Sequence, residues 1–238
     1  MSLDQHIAFV TGGTKGIGRA VVERLLAEGA RVGFCARSRA EVGQMASELE
    51  PRHPGRVFGT DCDVRDATQV ARAIGEVASR LGGLSVLVNN AGVGVFAPLG
   101  ELSAEDWHLQ IETNLSGVFH CSQAALPHLK AAEGAWIINV GSLASRNAFA
   151  GGVGYNASKF GLLGMTEAMM LDLRYDDIRV SLVMPGSVNT EFRGRAVEAD
   201  TWRLTSEDVA RAVVDLLHYP ANAHVSRVEL RPSQPPRK

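Results

Sequence analysis

The sequence predicts an α/β fold: a doubly wound parallel sheet of about seven strands with helices on both faces. Three observations carry this. Short β-branched runs alternate with longer helix-like stretches along most of the chain. Several runs are apolar almost throughout, such as Val86-Leu87-Val88 and Trp136-Ile137-Ile138-Asn139-Val140. Strands covered on both faces read that way, and such coverage means a parallel sheet. Finally, the first run ends in a glycine-rich turn that leads straight into a helical pattern.

In order, strands are expected at 6–11, 30–36, 56–61, 84–89, 135–140, 178–184 and 224–230. Helices are expected at 16–28, 39–49, 67–80, 104–130, 155–174 and 206–217. Thr205-Ser206-Glu207-Asp208 reads as a helix start, with an oxygen-bearing cap and acids in the first turn. Neither a repeat nor a linker divides the chain. One domain over 1–238 is therefore expected, with a Pro-rich, charged tail from about 231 that looks disordered.

Apolar residues make up 45% of the chain, enough for a substantial core. There are 24 basic and 26 acidic residues, a net charge of −2. That balance gives no basic surface for nucleic acid or membrane. No run approaches the roughly 18 apolar residues of a membrane span. Ile7-Ala8-Phe9-Val10 is too short for a secretory signal. Cys35, Cys62 and Cys121 are scattered, with no CxxC pair, which fits a reducing compartment. They read as buried small hydrophobes. The histidines show no HxH or HxxxH spacing, and no GxSxG turn is present. Neither a metal site nor a serine hydrolase is expected. The expected location is the cytoplasm.

The glycine turn is Thr11-Gly12-Gly13-Thr14-Lys15-Gly16-Ile17-Gly18. Glycines let a backbone turn sharply and approach a pyrophosphate, and the following helix N-terminus supplies free N–H groups. The spacing is GxxxGxG, not the common GxGxxG. Tight turns use the same residues, so the position between first strand and first helix matters most. Many dinucleotide sites place an acid after the second strand to grip the ribose 2′-OH. Here Ala36 stands where the acid is expected, Arg37 follows, and Lys15 projects from the glycine loop. Two cations and no acid suit a 2′-phosphate, hence NADP(H). The alternative is a pair of solvated surface charges. Asp63 could accept from an adenine amino group. It could also cap the next helix, a job that Asp66 fits better.

Further patterns follow in chain order: Asn89-Asn90-Ala91-Gly92, Asn114, Ser142, Tyr155-Asn156-Ala157-Ser158-Lys159, and Pro185-Gly186-Ser187-Val188-Asn189-Thr190. With the glycine loop, this set resembles the classical short-chain dehydrogenases/reductases, from Ile7 to about Leu230. Among them it is similar to NADP(H)-preferring, 3-oxoacyl-[acyl-carrier-protein] reductase-like members. The resemblance implies a Rossmann-type fold and hydride transfer between NADP(H) and a small carbonyl or alcohol substrate.

The physics of one pair stands apart from the family. Tyr155 and Lys159 are four apart and share a helix face. A phenol titrates near pH ~10. An ammonium nearby, or an oxidised nicotinamide, favours the phenolate. Tyr155 could then exchange a proton with the substrate oxygen. A buried Tyr beside an exposed Lys is the bland alternative.

By resemblance, Lys159 also bonds the nicotinamide ribose, and Ser142 holds the substrate carbonyl oxygen. The alternative for Ser142 is a loop serine capping a turn. Resemblance also implies that Asn114 distorts its helix and binds a water linked to the lysine. The expected catalytic set is Asn114, Ser142, Tyr155 and Lys159. The expected cofactor set is Gly12, Thr14, Lys15, Gly16, Ile17, Gly18, Arg37, Asp63, Val64, Asn90, Ala91, Gly92, Tyr155, Lys159, Pro185, Gly186, Val188 and Thr190.

Substrate contacts are expected from 93–96, 143–149 and 187–199, where most side chains are small or apolar, with Arg146, Arg193 and Arg195 as charged visitors. One alternative is reduction of 3-oxoacyl groups on acyl carrier protein. By resemblance, basic docking residues would fall just before the fifth and sixth strands, where this chain has Glu133 and Asp176-Asp177, which would repel an acidic carrier. Another alternative is a non-catalytic NADPH-binding regulator. The 155–174 helix carries more apolar residues than one inward face needs, and family members commonly pair the two long helices. A homotetramer, or a homodimer, is therefore expected.

Overall fold

The computed structural model describes residues 2–190, 192 and 202–235 of the chain. In chain order the elements are β1 (Ile7–Thr11), α1 (Gly16–Ala27), β2 (Arg31–Ala36), α2 (Arg39–Leu49), β3 (Val57–Asp61), α3 (Ala67–Leu81) and β4 (Val86–Asn89). Then come α4 (Ala104–Ile111), α5 (Gly117–Lys130), β5 (Ala135–Val140), α6 (Val153–Leu173), β6 (Ile178–Pro185), α7 (Ser206–Asp215) and β7 (Arg227–Leu230). The strands form one parallel sheet in the order β3-β2-β1-β4-β5-β6-β7. This is the doubly wound, Rossmann-type architecture. The order reverses between β1 and β4, and there a crevice opens beyond the strands' carboxyl ends.

Side-chain alternation divides the core in two. Ala8 and Val10 of β1, with Trp136 and Ile138 of β5, pack against Val22 and Leu25 of α1 and Val213 of α7. Ile7 and Phe9, with Ala135 and Ile137, pack against Ile74 and Val77 of α3 and Ala125 and Leu129 of α5. Both faces of each central strand are thus covered, which explains the unbroken apolar runs. Cys35, Cys62 and Cys121 are buried free thiols in the second cluster.

Side-chain caps start most helices. Ser38, Ser103 and Thr205 cap α2, α4 and α7. Asp66 caps α3, accepting from the N–H groups of Thr68 at 2.9 Å and Gln69 at 3.1 Å. The start of α1 has no side-chain cap.

Several boundaries differ from expectation. The stretch 104–130 is not one helix: a π-turn at Glu112–Ser116 separates α4 from α5. The last strand starts at Arg227 rather than 224, because the His224 ring folds back to 3.0 Å from the Val180 carbonyl. The last helix gives way to a 3₁₀ turn at Leu216–His218. The sixth starts at Val153, two residues before its expected start. The first part of the tail is fastened rather than loose. Arg231 pairs with Glu229 at 3.0 Å, and a Cβ on Gly186 would lie 3.2 Å from Pro232.

Candidate active site

The glycine loop lies at the switch point, and its shape requires glycine. Gly12 and Gly16 have φ of +64° and +55°, in the left-handed region. A Cβ at Gly12 would stand 3.0 Å from Ala91 Cα, so the ends of β1 and β4 nearly touch. A Cβ at Gly18 would collide with the Gly12 carbonyl. Asn90 staples the two strand ends: its Nδ2 donates to the carbonyls of Thr11 at 2.9 Å and Gly12 at 3.1 Å. Thr11 Oγ1 accepts in return from the N–H groups of Asn90 and Ala91, both at 3.0 Å. Ile17 is partly buried against the core. The first turn of α1 therefore presents its N–H groups, with no side-chain cap, beside a backbone stripped of Cβ atoms. Such a cradle fits the pyrophosphate of a dinucleotide. Across the crevice, a Cβ on Gly16 would lie 3.6 Å from Thr190 Cγ2.

At the end of β2 no acid stands beside Arg37, as expected, but a carboxylate reaches Lys15 from the next helix. Glu41, in the first turn of α2, takes Lys15 Nζ at 3.2 Å and the Thr14 hydroxyl at 3.3 Å. The Ser38 cap starts α2 immediately after Arg37, and this turns position 41 toward the glycine loop. Arg37 is exposed. Asp63 is engaged by Arg65, whose Nε and Nη2 reach it at 3.0 and 2.6 Å. This ion pair holds the Asp63 carboxyl below its ordinary range. An adenine amino group would have to share that carboxylate. Val64 is buried, and a Cβ on Gly117 would lie 2.8 Å from it.

Farther along the crevice, the expected catalytic residues converge. Lys159 is buried, and its Nζ donates to the Val140 carbonyl at 3.0 Å. That leaves two of the three ammonium hydrogens for other acceptors in the cleft, which suits ribose hydroxyls. Burial pushes this ammonium down to about 8. A Cβ at Gly92 would stand 3.3 Å from Asn114 Oδ1 and 3.9 Å from Lys159 Nζ, so Gly92 lies between them.

Tyr155 lies one turn before Lys159, with Nζ 5.8 Å from its ring centroid. Burial pushes the phenol up, and a hydrogen bond with the Ser142 hydroxyl draws it down. The lowering expected from Lys159 does not emerge from the chain's own groups, because desolvation of both side chains dominates. Ser142 does the first of the two jobs that the sequence left open, capping a turn. Its Oγ accepts from the Ala144 N–H at 3.1 Å, capping the turn Leu143–Ser145. Its hydroxyl also lies close enough to the Tyr155 phenol to favour the phenolate.

Asn114 sits in the π-turn and is fully buried. Its Oδ1 accepts from the Val93 N–H at 2.8 Å, and its Nδ2 donates to the Val93 carbonyl at 2.9 Å and Ser158 Oγ at 3.0 Å. The side chain is thus a clamp. A water held here would have to use the backbone, where the π-turn disturbs the regular hydrogen-bond ladder.

Two further clamps escaped the sequence reading. Asn156 Nδ2 donates to the Ala144 carbonyl at 2.8 Å and the Asn147 carbonyl at 3.2 Å, fixing the loop after Ser142. Gln110 Oε1 accepts from the Val95 N–H at 3.1 Å. The signal was available: each is an amide on the inward face of a helix, where an unbonded amide is costly.

Pro185 ends β6, and the Gly186 N–H donates to the Leu230 carbonyl at 2.8 Å. Val188 bridges Leu204, which with Thr190 holds one wall of the crevice. Arg146 pairs with Glu229 at 2.6 Å. Arg193, Arg195 and the rest of 193–199 lie outside the described residues, as does Glu191.

The chain matches the short chain dehydrogenase family over residues 6–201. It is 34% identical over 200 residues to a 3alpha-hydroxysteroid dehydrogenase of Mediterraneibacter gnavus, covering 84% of this chain and 80% of that one. It is 33% identical over 240 residues to sulfoacetaldehyde reductase 2 of Chromohalobacter salexigens, covering 96% and 94%. Among solved structures, it is similar to an alcohol dehydrogenase from the archaeon Thermococcus sibiricus complexed with 5-hydroxy-NADP. That match has a TM-score of 0.91 and 31% identity, and covers 98% of this chain and 99% of that one. A glycine cradle at the switch point, a buried lysine one turn from a phenol, and a match over most of the length have one common explanation: this protein belongs to the short chain dehydrogenase family.

Proposed function

We propose that this protein is a cytoplasmic, NADPH-dependent carbonyl reductase, folded as one domain over 1–238, with Tyr155 as proton donor. The observation that carries the reading is the Tyr155 phenol close to the Ser142 side chain, with the buried Lys159 ammonium 5.8 Å from its ring centroid. Gly12, Thr14, Gly16, Ile17 and Gly18 hold the pyrophosphate. Asn90 to Gly92 and Lys159 hold the nicotinamide ribose side, and Pro185, Gly186, Val188 and Thr190 cover the ring. When bound, the reduced nicotinamide supplies a hydride to the substrate carbonyl carbon. Ser142 and Tyr155 both donate to the carbonyl oxygen and orient it. Tyr155 passes its proton to that oxygen as negative charge develops, and solvent restores the proton afterwards. Asn114 keeps Val93 and Ser158 in register around Lys159.

NADP(H) is favoured by Arg37 and Lys15, and by the NADP analogue in the Thermococcus sibiricus neighbour. Glu41 opposes this preference. A carboxylate on Lys15 competes with a 2′-phosphate for the same ammonium.

The 3-oxoacyl-carrier alternative stays open, and the charge argument against it weakens. Asp176 is paired with Lys130 at 2.7 Å, and Asp177 accepts from the Gly134 N–H at 2.9 Å. No helix among the described residues is long and apolar enough to cross a membrane. The cytoplasm is proposed from three buried thiols left unpaired. A homo-oligomer is proposed from Phe119, Phe160 and Leu171, large apolar side chains left exposed on α5 and α6.

Two outcomes are expected. Tyr155→Phe should lower reduction of any active ketone by at least ~10²-fold, with NADPH affinity nearly unchanged by fluorescence titration. Ser142→Ala should lower turnover with the same intact affinity. Wild-type turnover by Tyr155→Phe would move the proton donor to another group, and NADPH binding without turnover of any carbonyl would leave the non-catalytic NADPH-binding reading in front. In the same titration, Glu41→Gln should tighten NADPH by about 3-fold, the scale of an exposed ion pair, while NADH changes less. Weaker NADPH binding would mean that Glu41 positions Lys15 rather than competing for it.

A further inference from the structure

We propose that the substrate side of this cleft is an aromatic box that selects aryl ketones and aryl aldehydes, an inference that rests on the carbonyl-reductase reading. Three phenylalanines converge on Tyr155, one from each loop that follows β4, β5 and β6: Phe96, Phe149 and Phe192. Phe96 meets Tyr155 with ring centroids 5.2 Å apart and planes at 60°. It meets Phe149 at 5.0 Å and 69°. Phe192 stands on Tyr155 at 6.1 Å and 59°. The four rings form one chain of tilted and edge-on contacts around the reactive phenol.

The main chain seats these rings. A Cβ on Gly94 would lie 2.8 Å from Phe192 Cε1 and 3.2 Å from Phe96 Cε1. A Cβ on Gly152 would lie 2.7 Å from Phe149 Cζ. Three rings thus rest against glycine backbone, and a side chain at either glycine would displace them. The box is built into the loops.

Its occupant follows from what the rings leave open. Phe149 and Phe192 remain 42% and 39% exposed, although rings of this size gain most by burial. In the described parts of the three loops (93–99, 143–152, 186–190 and 192) Arg146 is the one charged side chain, and Glu229 holds it. The walls around Tyr155 therefore offer ring edges and faces. A planar aryl group adds a further offset or edge contact, which a saturated ring of the same carbon count does not match.

The test compares acetophenone with cyclohexyl methyl ketone, two eight-carbon methyl ketones. Conjugation makes the aryl carbonyl the less reactive of the two, so reactivity alone favours the cyclohexyl compound. We expect kcat/KM to favour acetophenone by at least ~10-fold, the scale of two aromatic contacts. Phe96→Leu and Phe149→Leu should each cut that ratio by at least ~3-fold. Thermal melting confirms that each variant is folded, and the exposed Phe149 makes its variant the safer one. A ratio at or below one, or a ratio unchanged in both variants, would overturn the box.

Saturation-transfer NMR separates this proposal from the parent reading. No turnover of either ketone, with acetophenone binding that weakens in Phe149→Leu, would remove the reductase reading and keep the box. Neither turnover nor binding would overturn the box as well.

Discussion

Lys159 is buried where its ammonium reaches the Val140 carbonyl, and much of the cleft is arranged around that charge. An ammonium removed from water is unfavourable unless its hydrogens find acceptors. Burial lowers its proton affinity and raises that of the Tyr155 phenol one turn away. Neither shift helps proton exchange within the chain alone. Acceptors for the ammonium and a positive charge near the phenol would oppose both shifts. The proposed proton donor is thus switched by what fills the cleft.

Holding such a charge in place demands rigid loops, and buried amides supply the rigidity. Asn90 joins the ends of β1 and β4. Asn114 and Gln110 hold the chain at Val93 and Val95, and Asn156 holds the loop after Ser142. Deeper in the sheet, Asn89 donates to Asn139 Oδ1 at 2.9 Å, and Asn139 donates to Thr166 Oγ1 at 2.9 Å. Each amide has two donors and an acceptor, so it can fix two backbone segments at once. Asn89 Oδ1 is the exception, a buried acceptor without a partner in the structure.

The sheet was legible because two-sided burial writes itself as continuous apolar runs, as in Trp136 to Val140. The glycine loop was legible because a positive φ and a close approach to Ala91 exclude side chains. The spacing of Tyr155 and Lys159 put them on one helix face, and the ordered set of motifs around them, by family likeness, marked them as a site. Other features depend on contacts between distant segments. Glu41 reaches Lys15 only because Ser38 starts α2 where it does. Phe96, Phe149 and Phe192 lie on separate loops and meet only in the folded chain. The π-turn at Glu112–Ser116 carries no periodic signal, since four residues on either side of it still read as one helix. Only family likeness at Asn114 hinted at it.

The most direct test is the titration of Tyr155 itself. Of the three tyrosines, Tyr175 and Tyr219 are exposed, and Tyr155→Phe assigns the remaining ring-carbon NMR signal. In the free protein the Tyr155 signal should titrate above pH ~10, because burial dominates. With saturating NADP+ the midpoint should fall by at least ~1 pH unit, as the positive ring and the satisfied Lys159 ammonium favour the phenolate. A midpoint that is the same with and without NADP+ would contradict the account.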